Sequence, residues 1–355
     1  MTDFPTPEAV SPAAVRRIHE LIGPHVRHTP LLRSKAPSSA DVYLKCENFQ
    51  VTDSFKVRGA LSALHGHRRF QPEVWRHIQD HGVVTCSSGN FAQGLAYATA
   101  ELGLDYTVVV PESIPATKRT QIYRYNPKSQ IVEVPYPTWR QTMVSSRYPG
   151  HPGFFLSSES NPYASLGIAT IGLEILQDQP YIDAILVPYG GGNLAYSLAS
   201  LLREAGSAVP VYAVEVSTGA PLTASMRAGR PTDVPYERSF VDGIGASFVL
   251  PFQFHRVKDM LAGVFTVTPQ EIADALSSLA FTDKIVCEGA GAAAYAALRK
   301  YAPAHSWSRP CAVVSGGVID PAVLLRTFTT SMEPGITLAG PAAAPLEAAV
   351  ALPAG

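Results

Sequence analysis

Across 355 residues, 28 Lys and Arg stand against 29 Asp and Glu, a formal net charge of −1. Hydrophobic residues make up 46% and charged residues only 16%, where ordinary soluble domains carry about 25% charged. This balance excludes a disordered chain, and without basic runs it excludes nucleic-acid binding, which needs a positive face to displace counterions.

Ser11 and Pro12 open the first helix, a hydroxyl cap followed by a proline whose φ suits the first turn. Val15, Ile18, Leu21 and Ile22 give it an apolar face, and Gly23-Pro24 ends it. Residues 41–45 read as a short strand. Strands at 82–86, 106–110 and 130–134 then alternate with helices at 90–101, 115–125 and 138–147. A Gly/Pro/Ser-rich crossing covers 149–162. Beyond it come a helix at 163–177, a buried strand at 183–187, a helix at 193–205 and a strand at 209–216. Helices at 269–281 and 288–301, a strand at 311–314 and a helix at 320–327 follow. The alternation predicts an α/β fold of two halves, with mostly parallel sheets, flanking helices and a ligand cleft between the halves. Ala/Pro/Gly-rich residues 329–355 are expected to form a flexible tail.

Cys46, Cys86, Cys287 and Cys311 are scattered, with no CxxC and no paired histidine nearby. That pattern is neither a disulfide framework nor a zinc site, and it fits a reducing cytosol. No signal peptide and no run of roughly 18 apolar residues is visible. A cytoplasmic protein with no membrane partner is expected.

Four stretches carry the chemistry, each where a strand gives way to a helix. ENFQVTDSFKVRGA, residues 47–60, centres on Lys56. A Schiff-base lysine needs a partly desolvated pocket, for which Phe55 supplies an apolar wall; a solvated first-turn lysine is the plainer alternative. SSGNFAQG, residues 87–94, can cradle a carboxylate or phosphate at a helix start, or can simply cap it. Asn90 and Gln93 offer donors beyond what a cap needs. VPYGGGNL, residues 187–194, places three glycines in a row, more than a tight turn requires, so that several amides converge on an anion. Its spacing is neither the dinucleotide nor the Walker pattern. VVSGGVID, residues 313–320, sits at a strand's C-terminal end, where ligands of open sheets collect, and Ser315 alone reads as a turn or cap residue.

Together the four stretches resemble the fold type II pyridoxal-phosphate (PLP) enzymes of the tryptophan-synthase-β-like superfamily, nearest to threonine/serine dehydratases and serine racemases. The resemblance runs to about residue 328. It implies two open twisted sheets with the cofactor in the interdomain cleft. Residues 11–65 and 155–328 would form the large cofactor domain and 66–154 the small substrate-loop domain. PLP would be held by Lys56, with Phe55 lining its pocket and Asn90 bonding its phenolic oxygen. Its phosphate would lie on the amides of Gly190, Gly191, Gly192, Asn193 and Leu194, with Ser315 at the ring nitrogen. Ser87, Ser88, Gly89 and Gln93 would bind the substrate carboxylate. The implied activity is a dehydratase (ammonia-lyase) acting on a β-hydroxy amino acid, with Lys56 as base, in a homodimer. No room is left for the appended regulatory domain of biosynthetic threonine dehydratases.

The sequence also departs from the family pattern. Asp53 stands where glycine is usual, Phe91 where dehydratases often carry His, and Asn193 in place of a fourth glycine. The segment from Asn161 to Thr170 is closer to threonine or cysteine synthases, which keeps a β- or γ-replacement reaction open. Ser88 stands where racemase-like members place a second acid/base, opposite the lysine. The altered Asp53 position also admits a catalytically idle PLP-binding protein. Glu215 lies near a cation site of some relatives, but no acidic partner follows it, so no metal is expected.

Overall fold

The computed structural model describes residues 10–114 and 116–331. Ten strands form two sheets: β1 (Leu31–Arg33), β2 (Tyr43–Cys46), β3 (Val83–Cys86), β4 (Tyr106–Pro111), β5 (Gln130–Val134), β6 (Phe154–Phe155), β7 (Ala184–Pro188), β8 (Val211–Val216), β9 (Gly263–Val267) and β10 (Pro310–Val314). The larger sheet has the order β1-β2-β10-β7-β8-β9 and the smaller one β5-β4-β3-β6. Every pairing is parallel except β1 with β2. The strands β3, β4, β7 and β10 are buried along their whole length, as expected where helices cover both faces of a parallel sheet.

The helices are α1 (Pro12–Ile22), α2 (Lys56–Phe70), α3 (Pro72–His81), α4 (Asn90–Leu102), α5 (Ala116–Tyr125), α6 (Tyr136–Ser145) and α7 (Pro162–Asp178). After them come α8 (Asn193–Glu204), α9 (Pro221–Ala228), α10 (Pro251–Val257), α11 (Pro269–Ser278), α12 (Gly289–Tyr301) and α13 (Pro321–Ser331). One apolar cluster joins both sheets. Val83 and Val108 of the small sheet share it with Ile185 and Val313 of the large one, through side chains of α1, α2, α4, α7 and α8. Strand alternation sends the intervening residues the other way. Leu186 and Val314 pack under α11 and α12, while Val84 and Val109 pack under Trp139 and Met143 of α6.

Side-chain caps fix several helix starts: Ser11 accepts from the Ala14 amide, Asn161 from Ala164, and Thr268 and Glu271 form a capping box. Two helices differ from expectation. The helix expected at 138–147 begins at Tyr136, where Pro137 supplies the first-turn φ. The one expected at 269–281 stops as an α-helix at Ser278 and loosens into a π-turn, Leu279–Asp283. Sequence patterning passed over β1, β6, β9, α3, α9 and α10, which are all short. Of the tail expected at 329–355, residues 329–331 belong to α13, which continues to Ser331, and the rest lies outside the described residues. The boundary expected at 65/66 falls inside the continuous helix α2. Among the described residues no helix is long and apolar enough to cross a membrane.

Candidate active site

Lys56 is the first residue of α2, and the two loops around it are stitched together by backbone. The Phe55 amide donates to the Ser315 carbonyl at 3.2 Å, and the Gly317 amide to the Asp53 carbonyl at 2.8 Å. Ser54 and Gly316 form an isolated antiparallel bridge. Residues more than 250 positions apart in the chain are thereby placed side by side. Asp53 makes this turn with φ +55°, in the left-handed region that glycine adopts most readily. Burial, with the Asp53 carboxylate adding to it, raises the Tyr125 hydroxyl above its ordinary value.

Lys56 is half-buried. Its Nζ donates to Ser158 Oγ and to Glu159 Oε1, both at 3.2 Å, and lies 5.2 Å from the Phe55 ring centre. Phe55 is the buried ring nearest this amine. Glu159, a direct counter-ion, was not anticipated.

The triple glycine spans the turn from β7 into α8. A side chain at Gly190 would come within 3.0 Å of the Gly243 carbonyl, and one at Gly191 within 2.6 Å of Glu159 Oε1. Gly192 has φ +90°, and a Cβ there would collide with Tyr189. The left-handed φ of Gly192 and the backbone beside Gly190 favour glycine here, and the turn leaves bare amides at the N-terminus of a twelve-residue helix. The Asn193 side chain points inward: Oδ1 accepts from Ser165 and Ser197, and Nδ2 donates to the Ser158 carbonyl. The contact to Ser158 joins the glycine turn to the residue beside Lys56. Leu194 is buried next to it.

Ser87, Ser88 and Gly89 lead from β3 into α4 and are partly exposed. Space is open around Gly89, where an added Cβ would meet nothing within 4 Å. Gln93 is buried, and its Oε1 has no hydrogen-bond partner. Asn90 Nδ2 donates to Glu288 Oε1 at 2.8 Å. Glu288 is enclosed at the start of α12, and its carboxyl is pushed up to about 7, first by burial and then by Asp242. Ser315 is buried against the lysine segment. Gly316 lies under this pair, since a Cβ there would come 2.5 Å from Glu288 Oε1 and 3.0 Å from Asn90 Nδ2.

The structure therefore gathers Lys56, Phe55, Asn90, the glycine turn and Ser315 at the C-terminal ends of the sheet strands, with the Ser87–Gln93 segment leading into the same helix as Asn90. Phe91 instead packs into the core. Glu215 accepts from the Leu222 and Thr223 amides and so caps α9. Sequence reasoning missed Ser158, Glu159 and Glu288; they belong to no spaced motif, and only folding brings them to Lys56 and Asn90. It also missed a buried ionic network beneath the lysine. Arg58 holds Glu47 at 2.8 and 2.9 Å and Glu174 at 2.6 and 2.8 Å, and Lys45 donates to Glu174 at 2.6 Å. Burial opposes the Arg58 charge, but the two carboxylates outweigh it and hold its pKa above the ordinary range.

A small phosphorylated aldehyde fits this arrangement: a cradle any Cβ would fill, a nearby primary amine, and an amide donor on Asn90 beside it. One group has the wrong sign for such a ligand. Glu159 lies against Gly191, where it would face a bound phosphate as a like charge.

Fold and site define a class, the two-sheet α/β proteins that bring a lysine and a glycine turn to one end of their strands. The sequence model of the pyridoxal-phosphate dependent enzymes matches residues 22–316, and the chain belongs to that family. It is 32% identical to the L-threonine ammonia-lyase of Geobacter sulfurreducens over 318 residues, 89% of this chain and 76% of that protein. It is equally 32% identical to mouse serine racemase over 318 residues, 88% of this chain and 92% of that one. Among solved structures, maize serine racemase superimposes with a TM-score of 0.79 at 25% identity, covering 91% of this chain and 98% of its own.

Proposed function

We infer that this PLP-dependent lyase is a dehydratase-type ammonia-lyase, removing water from a β-hydroxy amino acid of the threonine or serine kind to give a 2-oxo acid and ammonia. The observation that carries the reading is the junction of Lys56 with the Ser315–Gly317 loop beside the Asn90–Glu288 pair. The threonine ammonia-lyase relatives support the same chemistry. PLP, when bound, supplies an electron sink that makes the α-proton acidic.

The protein's own groups then have these roles. Lys56 anchors the cofactor and takes the α-proton through its Nζ. Amides of Gly190, Gly191, Gly192, Asn193 and Leu194 hold the phosphate, with the α8 dipole favouring its charge. Asn90 donates to the phenolic oxygen, and Glu288 fixes the direction of its amide. Ser315, a neutral hydroxyl at the ring nitrogen, suits β-elimination over prolonged carbanion storage. Ser87, Ser88, Gly89 and Gln93 receive the substrate carboxylate through hydroxyl and amide N–H donors. The released enamine tautomerises and is hydrolysed to the 2-oxo acid and ammonia. We assign 11–65 and 155–328 to the cofactor-holding part and 66–154 to the substrate-loop part, in a cytoplasmic homodimer.

A second reading has its own support. Ser88 is a partly exposed hydroxyl at the cleft, and serine racemases are among the relatives, so proton return from Ser88 would give racemisation. The deciding experiment incubates the holoenzyme with single β-hydroxy amino acids and follows 2-oxo acid, ammonia and the chirality of recovered substrate. Keto acid and ammonia in equal amounts support the lyase. Inversion that Ser88→Ala abolishes supports the racemase. Turnover only with an added second nucleophile overturns both in favour of a replacement synthase.

A further inference from the structure

We propose that His25, His65 and Glu101 form a binding site for a divalent transition metal, zinc above all, which ties the segment after α1 to α2 and α4. Each of the three offers one ligand atom, and these atoms lie within 4.8 Å of one another. A zinc ion bonded to nitrogen and oxygen at about 2.0–2.2 Å reaches all three after small side-chain rotations. The His25 and His65 ring centres are 4.6 Å apart, and His25 Nδ1 is paired with Glu101 Oε1.

A second observation points independently to a ligand. His65 is 92% buried by its 8% exposure, and its Nε2 is closed to solvent without any hydrogen-bond partner. An orphaned imidazole nitrogen in that setting costs free energy that a bound group would recover. Two imidazoles and one carboxylate select zinc, nickel or cobalt over magnesium and calcium, which prefer all-oxygen sets. His25 and Glu101 are partly exposed, leaving an entry path and room for water as a fourth ligand.

The site has a structural purpose that the helices reveal. At one end α2 and α4 touch closely, with Gly94 against the backbone of Lys56 and Val57. Glu101 and His65 meet further along, so the two helices lie side by side and run in the same direction. The metal would clamp the two helices further along, with His65 roughly 13–14 Å from Lys56 at 1.5 Å per residue, and hold Asn90 in place beside the lysine.

The test uses chelator-stripped holoenzyme and zinc or cobalt chloride. Expected are one tightly held metal per chain by elemental analysis, and a ligand-field absorption band with cobalt. Zinc should also raise Tm, as any ligand of the native state does. Glu101→Gln, an exposed change that leaves the core intact, should weaken zinc binding at least roughly tenfold and abolish the Tm rise. His25→Ala should do the same, should His65→Ala fail to fold. No stoichiometric metal, or undiminished binding in Glu101→Gln and His25→Ala, overturns the proposal.

Discussion

Glu288 is an acid enclosed beside Asn90, and the cost of its charge is written into the protein's stability. Its pKa of about 7 in the fold lies above the ordinary 4.5. Between these values the folded chain keeps a proton that the unfolded chain releases, so stability falls as pH rises from about 4.5 to 7 and then levels off. Glu288→Gln, neutral at every pH, should match the wild type near pH 4.5 and exceed it at pH 8 by up to about 3 kcal/mol. Denaturant unfolding of the apoprotein at both pH values measures this; equal gains at both would show that Glu288 is not protonated in the fold. Glu159 raises a different issue, as a like charge beside the glycine turn. Glu159→Gln should tighten PLP binding by roughly three- to tenfold, the weight of one screened charge contact, in a spectroscopic titration. Weaker binding would mean that its pairing with Lys56 matters more than its repulsion of the phosphate. Neither carboxylate was legible in the sequence. A lysine motif announces itself by its neighbours in the chain, whereas Glu159 and Glu288 reach the site across folds of backbone that no local pattern encodes.

Helix packing shows the same division at the scale of elements. The βα rhythm placed the site strands and helices within a few residues, because strands buried on both faces and small-residue helices have strong signatures. Short edge elements such as β1 and β6 do not. What the sequence did show, without revealing its use, is a set of glycines within helices. Gly94 sets α4 close to the backbone of Lys56 and Val57, where a Cβ would lie 3.2 and 3.0 Å away, and Gly167 of α7 meets the Arg58 carbonyl, where a Cβ would lie 2.3 Å away. Backbone cannot yield as a flexible side chain does. Gly94→Ala should therefore shift α4 with its Asn90, costing about 1–3 kcal/mol of stability and loosening PLP. Gly167→Ala should cost at least as much stability. Thermal melts with a PLP titration distinguish the two, and unchanged cofactor affinity in Gly94→Ala would detach this contact from the site.

For the whole molecule, the Arg58 network is the central fastening. It links the β2–α2 segment to α7 through Glu47 and Glu174, with Lys45 completing the charge balance in a region closed to water. Removing Arg58 leaves buried Glu47 without a charged partner and Glu174 with Lys45 alone. Arg58→Met should cost about 3–5 kcal/mol, read by urea unfolding, and Arg58→Lys should restore little, because a point charge cannot hold two carboxylates as a planar fork does. A loss under 1 kcal/mol would mean that the network does not hold the molecule together.

Sheet order carries a consequence for how the enzyme is made. The four-stranded sheet is built from one continuous stretch, residues 83–155, and can form as soon as that stretch emerges from the ribosome. The six-stranded sheet cannot, because β10 pairs with both β2 and β7 and aligns Cys311 with Tyr43. Until β10 is synthesised, β2 and β7 expose unpaired edges, and Lys56 lacks the loop that fixes it. Such a high contact order makes closing of the large sheet the slow step of folding. Assembly of the catalytic centre then coincides with it, so a nascent chain stopped short of residue 310 would carry a folded small sheet and no working site.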